Sequence, residues 1–391
     1  MIKVHSDITA ALESGSMAAL IMIDMSAAFD TINHRILLDR LQQSFGITGT
    51  AHMWFESYLT GRTQSVLIEG HSSEPVILTC SVPQGSVLGP KKYCAYVRPI
   101  GRIVTKFGLI YHCYADDTQL YIILQSKDSW SSTVRPLEDC LREIQLWMES
   151  NQLKMNDEKT EFIVFTSRSR KVNTADLSLT VGQTTVAPTP VVKNLGSLWD
   201  DHMNMDRQIG AMCRSGYFQL RSIARIRDFI TRDACRTLIQ SRVISKLDYG
   251  NAILSGLPGY LIERLQKVQN QAARLIDRLP KTADPDLAAL HMLPVATRIK
   301  FKIILYVFKC LNSRAPTYLS DILTVYRPRR HLRSEESLTL VVPKYDNRYG
   351  RQNFKYAAAD LWNGLPHSLR VTKDMLAFRR QLKTHLFKSA F

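Results

Sequence analysis

Three aspartates stand where apolar runs end. Asp24 closes AALIMIDM (18–25), and Asp116 and Asp117 sit at the turn of GLIYHCYADDTQLYIIL (108–124). A carboxylate beside a buried strand is costly unless a cation or a donor satisfies it. If the two strands are neighbours, the acids converge at one sheet edge and form an oxygen-rich site suited to Mg2+. Two such ions ~3.5–4 Å apart can activate an attacking hydroxyl and stabilise a leaving phosphate oxygen. The plainer alternative is a hairpin turn, because Asp favours turns. A second constellation is PQGSVLG (83–89). Gln84 offers both a donor and an acceptor, and Gly85 lets a ligand approach the backbone. The segment then turns into a helix whose amides could face a base or phosphate; an ordinary loop is the alternative.

The elements that must position these groups follow from periodicity. AALIMIDM has the length of a buried strand. NHRILLDRLQQSF (33–45) reads as a helix with Asn33 or Asp30 as its cap. TQSVLIEG (63–70) and EPVILTCSV (74–82) form a hairpin candidate, and 108–124 reads as two strands about Ala115-Asp116-Asp117. Leu137, Leu141, Ile144 and Met148 repeat at 4, 3, 4, which predicts an amphipathic helix over 133–150. Short strands are expected at 161–165, 177–181 and 191–198. Beyond about residue 200 the pattern is helical, at 208–227, 261–275, 296–311 and 373–387. In the first of these, Ile209, Met212, Leu220 and Ile223 share one face, and Arg214, Arg221 and Arg225 share another.

Residues 1–150 hold 12 Lys and Arg against 15 Asp and Glu; residues 151–300 hold 22 against 14, and residues 301–391 hold 17 against 6. An acidic first part with a basic remainder fits an enzyme acting on a polyanion, although solvated basic faces are common. The densest basic run is YRPRRHLR (326–333), with Arg329 and Arg330 at its centre. No apolar run approaches the ~20 residues of a membrane span, so no membrane partner is expected. The seven cysteines are scattered with no CxxC spacing, which fits reduced thiols inside a cell rather than a zinc module. His112 beside Cys113 lacks a partner cluster and reads as an ordinary strand position.

The order of motifs is more specific than any one of them. DMSAAFD (24–30), PQGSVLGP (83–90), YADD (114–117), LKMNDEKTEFIVF (153–165) and VVKNLGSLWD (191–200) together resemble the palm of reverse transcriptases, most closely those of LINE-type (non-LTR) retrotransposons. Downstream, SRVISKLDYGNAILSGLP (241–258), LQKVQNQAARLI (265–276), LPVATRIKFKIILYVFKCLNSRAPTYL (293–319), LWNGLPHSLR (361–370) and FRRQLKTHLF (378–387) resemble the same family. The resemblance implies an α+β fold: a right-hand polymerase palm, an antiparallel sheet backed by helices, at 1–200. An all-helical thumb-like region at 201–325 and a basic C-terminal extension at 326–391 would follow. It implies RNA-directed DNA synthesis with two Mg2+ ions (Mn2+ as a substitute), acting on an RNA template, a DNA primer and dNTPs, in an intracellular, nuclear and cytoplasmic protein of undetermined oligomeric state.

Residue by residue, Asp24 and Asp116 look like the principal metal ligands and Asp117 like their acidic neighbour. Phe29 resembles the bulky residue under the incoming sugar that disfavours a 2′-hydroxyl. Gln84 and Gly85 resemble the nucleotide-facing loop, and Lys159 the lysine that protonates departing pyrophosphate. Arg214, Arg221, Arg225, Arg329 and Arg330 are expected on the nucleic-acid backbone. Two departures stand out. Only about 23 residues precede Asp24, where the family has a fingers region with a cationic triphosphate clamp. Lys91 and Lys92 also occupy positions that are apolar in the family, so the helix after the PQG loop must expose them, shift or fray. The expectation is a chain that binds nucleic acid and polymerises weakly or not at all; the alternative function is a remnant that only binds.

Overall fold

The apolar run at 18–25 becomes the strand Met17–Ser26, an inner strand of a four-stranded antiparallel sheet. Its neighbours are Asp117–Leu124 on one side and Lys154–Phe165 on the other; Ile110–Tyr114 pairs outside Asp117–Leu124. Ala18, Ala19, Leu20 and Ile21 are all fully buried, so both faces of this strand are covered, which explains a continuous rather than alternating apolar pattern. In this computed structural model, residues 1–26, 28–83, 85–125, 130–170, 177–327 and 338–391 are described. They fall into two units: residues 16–192, and a second made of residues 1–15 together with 193–391.

In the first unit the helix Trp130–Ser150 buries Leu137, Leu141, Ile144 and Met148, the expected stripe. The helix His34–Phe45 is capped by Asn33, whose side-chain oxygen accepts the Ile36 N–H at 3.1 Å, and it ends at Gly46 with φ 65°. Of the two candidate caps, Asn33 is therefore the one used. The 63–82 hairpin is a pair of two-residue ladders, Thr63–Gln64 on Val76–Ile77 and Leu67–Ile68 on His71–Ser72.

Lys91 and Lys92 are accommodated differently from each other. The helix Gly89–Val97 forms regularly with Pro90 in its first turn, and Lys91 is exposed. Lys92 is only 2% exposed, contrary to the expectation that burial would shift or fray this helix. Its ammonium lies 3.3 Å from the ring centroid of Tyr58, on the helix Gly49–Leu59. A cation held over an aromatic face recovers part of its lost hydration. Burial still holds the Lys92 ammonium below the usual lysine range, with Tyr58 opposing that shift.

The second unit is helical. In Asp206–Arg225, Ile209, Met212, Leu220 and Ile223 are buried. Asp200 organises the approach to this helix, its carboxylate accepting the backbone N–H groups of His202, Asn204 and Met205. Gly259–Asp277 follows, its last carbonyls capped by the buried Arg227, which donates to Leu275 and Ile276. Val295–Leu311 and Met375–Ala390 match the remaining helical expectations.

The first fifteen residues do not partition with the sheet, as a division at residue 200 would have them. The helix Ile2–Glu13 docks within the second unit. Glu13 accepts the backbone N–H groups of Asp346, Asn347 and Gly350 at 2.7, 3.0 and 2.7 Å. Asn353 donates to the Ser6 carbonyl and the Thr9 hydroxyl, and buried His5 meets Trp199 edge to face at 5.8 Å.

Candidate functional site

Strand register builds the site. Ile23 pairs with Thr118, so Asp24 and Asp117 follow at the ends of adjacent strands. Tyr114 pairs with Asp117, leaving Ala115 and Asp116 as a two-residue turn in which Ala115 takes φ 53°. On the other side the ladder shifts register between Met22 and Asp24. Beyond the shift Asp24 faces Asn156, and Lys159 Nζ comes within 3.9 Å of Asp24 Oδ2. Burial pushes the Asp117 carboxyl above the usual range, and the negative charges of Asp116 and then Asp24 push it further. Asp117 is thus close enough to feel both of the other carboxylates.

A cavity of about 650 Å3 lies beside them. Its walls bring together Asp116, Phe29 and Gly85 from three separate motifs, with Met25 and Ser86 between them. Gly85 has φ 80°, a conformation that favours glycine, and a Cβ there would meet nothing within 4 Å, so the backbone is open to close approach. Phe29 is held by Tyr93, with ring centroids 5.3 Å apart. The Tyr93 hydroxyl donates to the Met25 sulfur, and burial followed by the Asp116 charge holds its phenol far above the ordinary range. Tyr93 carried no sequence signal, and Met25, although inside the DMSAAFD motif, gave none of its contact with Tyr93, because that pairing arises from long-range packing.

Among the described residues, no group of three His, Cys, Asp or Glu side chains is placed to hold a metal by itself. Mg2+ is commonly held by one or two carboxylates completed by water and substrate phosphates. Mutually repelling acids at one sheet edge beside a nucleotide-sized cavity fit that mode of binding. His112 stacks on Tyr121 at 6.2 Å and all seven cysteines are free thiols.

Gln84, Arg329 and Arg330 lie outside the described residues. Arg214, Arg221 and Arg225 are exposed on one stripe of Asp206–Arg225. Phe218, four residues after Arg214 and three before Arg221, is 59% exposed, an aromatic face between cations that the arginine spacing alone does not announce. Its signal was available as an apolar residue off the buried stripe.

The sequence has known relatives. The family model described as reverse transcriptase (RNA-dependent DNA polymerase) matches residues 3–196. The chain is 28% identical over 268 residues to the probable RNA-directed DNA polymerase from transposon BS of Drosophila melanogaster, covering 66% of this chain and 29% of the relative. It is 30% identical over 164 residues to the RNA-directed DNA polymerase from mobile element jockey of the same organism, covering 41% and 17%. The chain therefore spans less than a third of the length of these relatives. Among solved structures, telomerase from Candida albicans in complex with a telomeric RNA fragment aligns over 82% of this chain and 51% of its own, at 13% identity and a TM-score of 0.36.

Proposed function

The chain belongs to the reverse transcriptases of LINE-type, non-LTR retrotransposons, and on that premise we propose that it carries the site for RNA-templated transfer of a nucleotide from a dNTP to a DNA primer 3′-hydroxyl. The observation that supports this most is the cavity whose walls join Asp116, Phe29 and Gly85. Divalent ions, two Mg2+ held by Asp24 and Asp116 with Asp117 adjoining, would neutralise phosphate charge and lower the pKa of the attacking hydroxyl. The chain's own residues do the rest. Phe29 closes the floor beneath the sugar, where a 2′-hydroxyl would collide. Gly85 lets the nucleotide lie against the backbone. Lys159, exposed and beside Asp24, holds a proton for the departing pyrophosphate.

The test is single-nucleotide incorporation on an RNA-templated DNA primer with Mg2+. The purified chain is expected to incorporate, weakly but above an Asp24→Ala control, and Asp116→Asn is expected to lower the rate roughly 100-fold or more. Undiminished incorporation by Asp116→Asn would overturn the site assignment. A binding-only protein is the second reading, favoured by the exposed stripe of Arg214, Arg221 and Arg225, which can hold a phosphate backbone without any chemistry. It predicts retention of template–primer with no incorporation by the unaltered chain.

A further inference from the structure

The second unit holds a larger cavity, about 1060 Å3, that none of the chemistry above uses. Arg232–Ile239 with the π-helical turn Gln240–Ile244, the helix Val295–Leu311 and the helix Met375–Ala390 line it, and Asp248, Asn251, Ile276 and residues 290–293 complete the wall. Arg298, Lys302, Leu305 and Lys309 repeat at 4, 3, 4 along one stripe of Val295–Leu311, and all four line the cavity. Arg379 and Lys383, one turn apart, line it from Met375–Ala390. Neither helix contains an acidic residue. Of the two carboxylates on the wall, Asp233 and Asp248, the latter is already bound by Arg298 through two hydrogen bonds. Lys302, Lys309, Arg379 and Lys383 make no ion pair among the described residues. Two cationic stripes thus look into one space with little to neutralise them, an arrangement that repels itself until an anion enters.

We propose that this cavity is a second nucleic-acid site, which takes the phosphate backbone of a single-stranded RNA segment. The inference rests on the reading that the chain handles RNA, but not on the polymerase centre. Two features favour a strand over a lone phosphate. Lys302 and Lys309 are seven residues apart, about 10 Å along a helix, so their charges suit separate phosphates of one strand better than a single phosphate. The volume also matches or exceeds the ~300–1,000 Å3 of small-molecule pockets. One feature favours RNA over a featureless polyanion. Asn251 lines the cavity, is 2% exposed, and its Oδ1 has no hydrogen-bond partner among the described residues. A buried acceptor of this kind calls for a donor, which a ribose 2′-hydroxyl or a base amino group supplies.

The test uses the full chain and a fluorescein-labelled, unstructured 20-nucleotide RNA. Affinity is measured against salt for the unaltered chain, for Lys302→Gln/Lys309→Gln/Arg379→Gln/Lys383→Gln, and for Arg214→Ala/Arg221→Ala/Arg225→Ala. The four-residue variant is expected to bind more weakly, with a log–log salt slope lower by up to ~0.7 for each phosphate no longer neutralised. Its melting temperature at low salt should hold or rise, since mutual repulsion is relieved. A variant with unchanged affinity and slope overturns the proposal. Photocrosslinking of 4-thiouridine RNA to the unaltered chain needs no variant to fold. Crosslinks in peptides from 295–311 and 375–390 support the site, and their absence overturns it. Competition by poly-glutamate as strong as by RNA also overturns it, in favour of an acidic protein ligand. An Asp24→Ala chain that is dead in primer extension is expected to keep these crosslinks, so failure of the polymerase reading and failure of this one are told apart.

Discussion

Asp117 carries a conflict between chemistry and folding. Its carboxyl is raised by burial and by two neighbouring acids, so its ionised form is less comfortable in the folded chain than in the unfolded one. For a group with a raised folded pKa, the associated stability is complete below the unfolded value and is lost as pH rises through the folded one. Asp117→Asn should therefore raise the melting temperature of the metal-free chain at pH 7. That gain should vanish as pH falls below the carboxylate range. Thermal melts at pH 7 and pH 3.5 check this, and an equal gain at both would assign the effect to something other than charge. The acids themselves were legible in the sequence because each ends an apolar run. The behaviour of Lys92 was not, because the ring that receives it belongs to Tyr58, more than thirty residues upstream, and no local pattern announces a distant aromatic face.

Elements with strong periodicity were legible because one buried face leaves a mark every three or four residues. Leu137 to Met148 and Ile209 to Ile223 are examples, each buried as its spacing required. The helix Ile2–Glu13 leaves a weaker mark. It buries polar His5, Ser6 and Thr9 alongside Val4, Ile8 and Leu12, so its apolar stripe is interrupted by side chains whose partners are remote in sequence. Spacing also cannot distinguish a working face from a merely solvated one on the opposite side of a helix. The Arg214, Arg221 and Arg225 stripe is such a case: its exposure fits either a phosphate-binding face or a wet surface. Changing all three to Ala should weaken duplex binding at every sequence and lower the log–log salt slope by up to ~0.9 for each phosphate left without its cation. An unchanged slope, measured by titration from low to moderate salt, would assign the stripe to the surface.

Across the whole molecule, the long-range closure of residues 1–15 on the rest of the second unit is where acid should act first. His5 is fully buried, and burial depresses its pKa to about 3. A group with a depressed folded pKa stabilises above its unfolded value, and that contribution is lost as pH falls, here from about 6.5 towards 3. Stability of the helix Ile2–Glu13 should decline over that window, at no more than ~1.4 kcal/mol per pH unit. His5→Leu should flatten the decline. Limited proteolysis near residue 15 between pH 7.5 and pH 4.5 reads it out, and identical profiles for both chains would remove His5 from the account. The same docking has a topological meaning. Ser6 and Asn353 are bonded across 347 positions, so residues 16–192 form a guest inserted into a host that begins before it and ends after it. Joining a host across so long an insert costs loop-closure entropy that grows only logarithmically, about 0.6 kcal/mol for each doubling of length. Once the guest has folded from its own contiguous segment, its two ends are already fixed in space and much of that cost has been met. Within that guest Ala18 pairs with Phe165 and Thr189 donates its N–H to the Phe162 carbonyl, so the sheet that carries the aspartates also keeps residues 18 and 189, near the guest's two ends, close to one another.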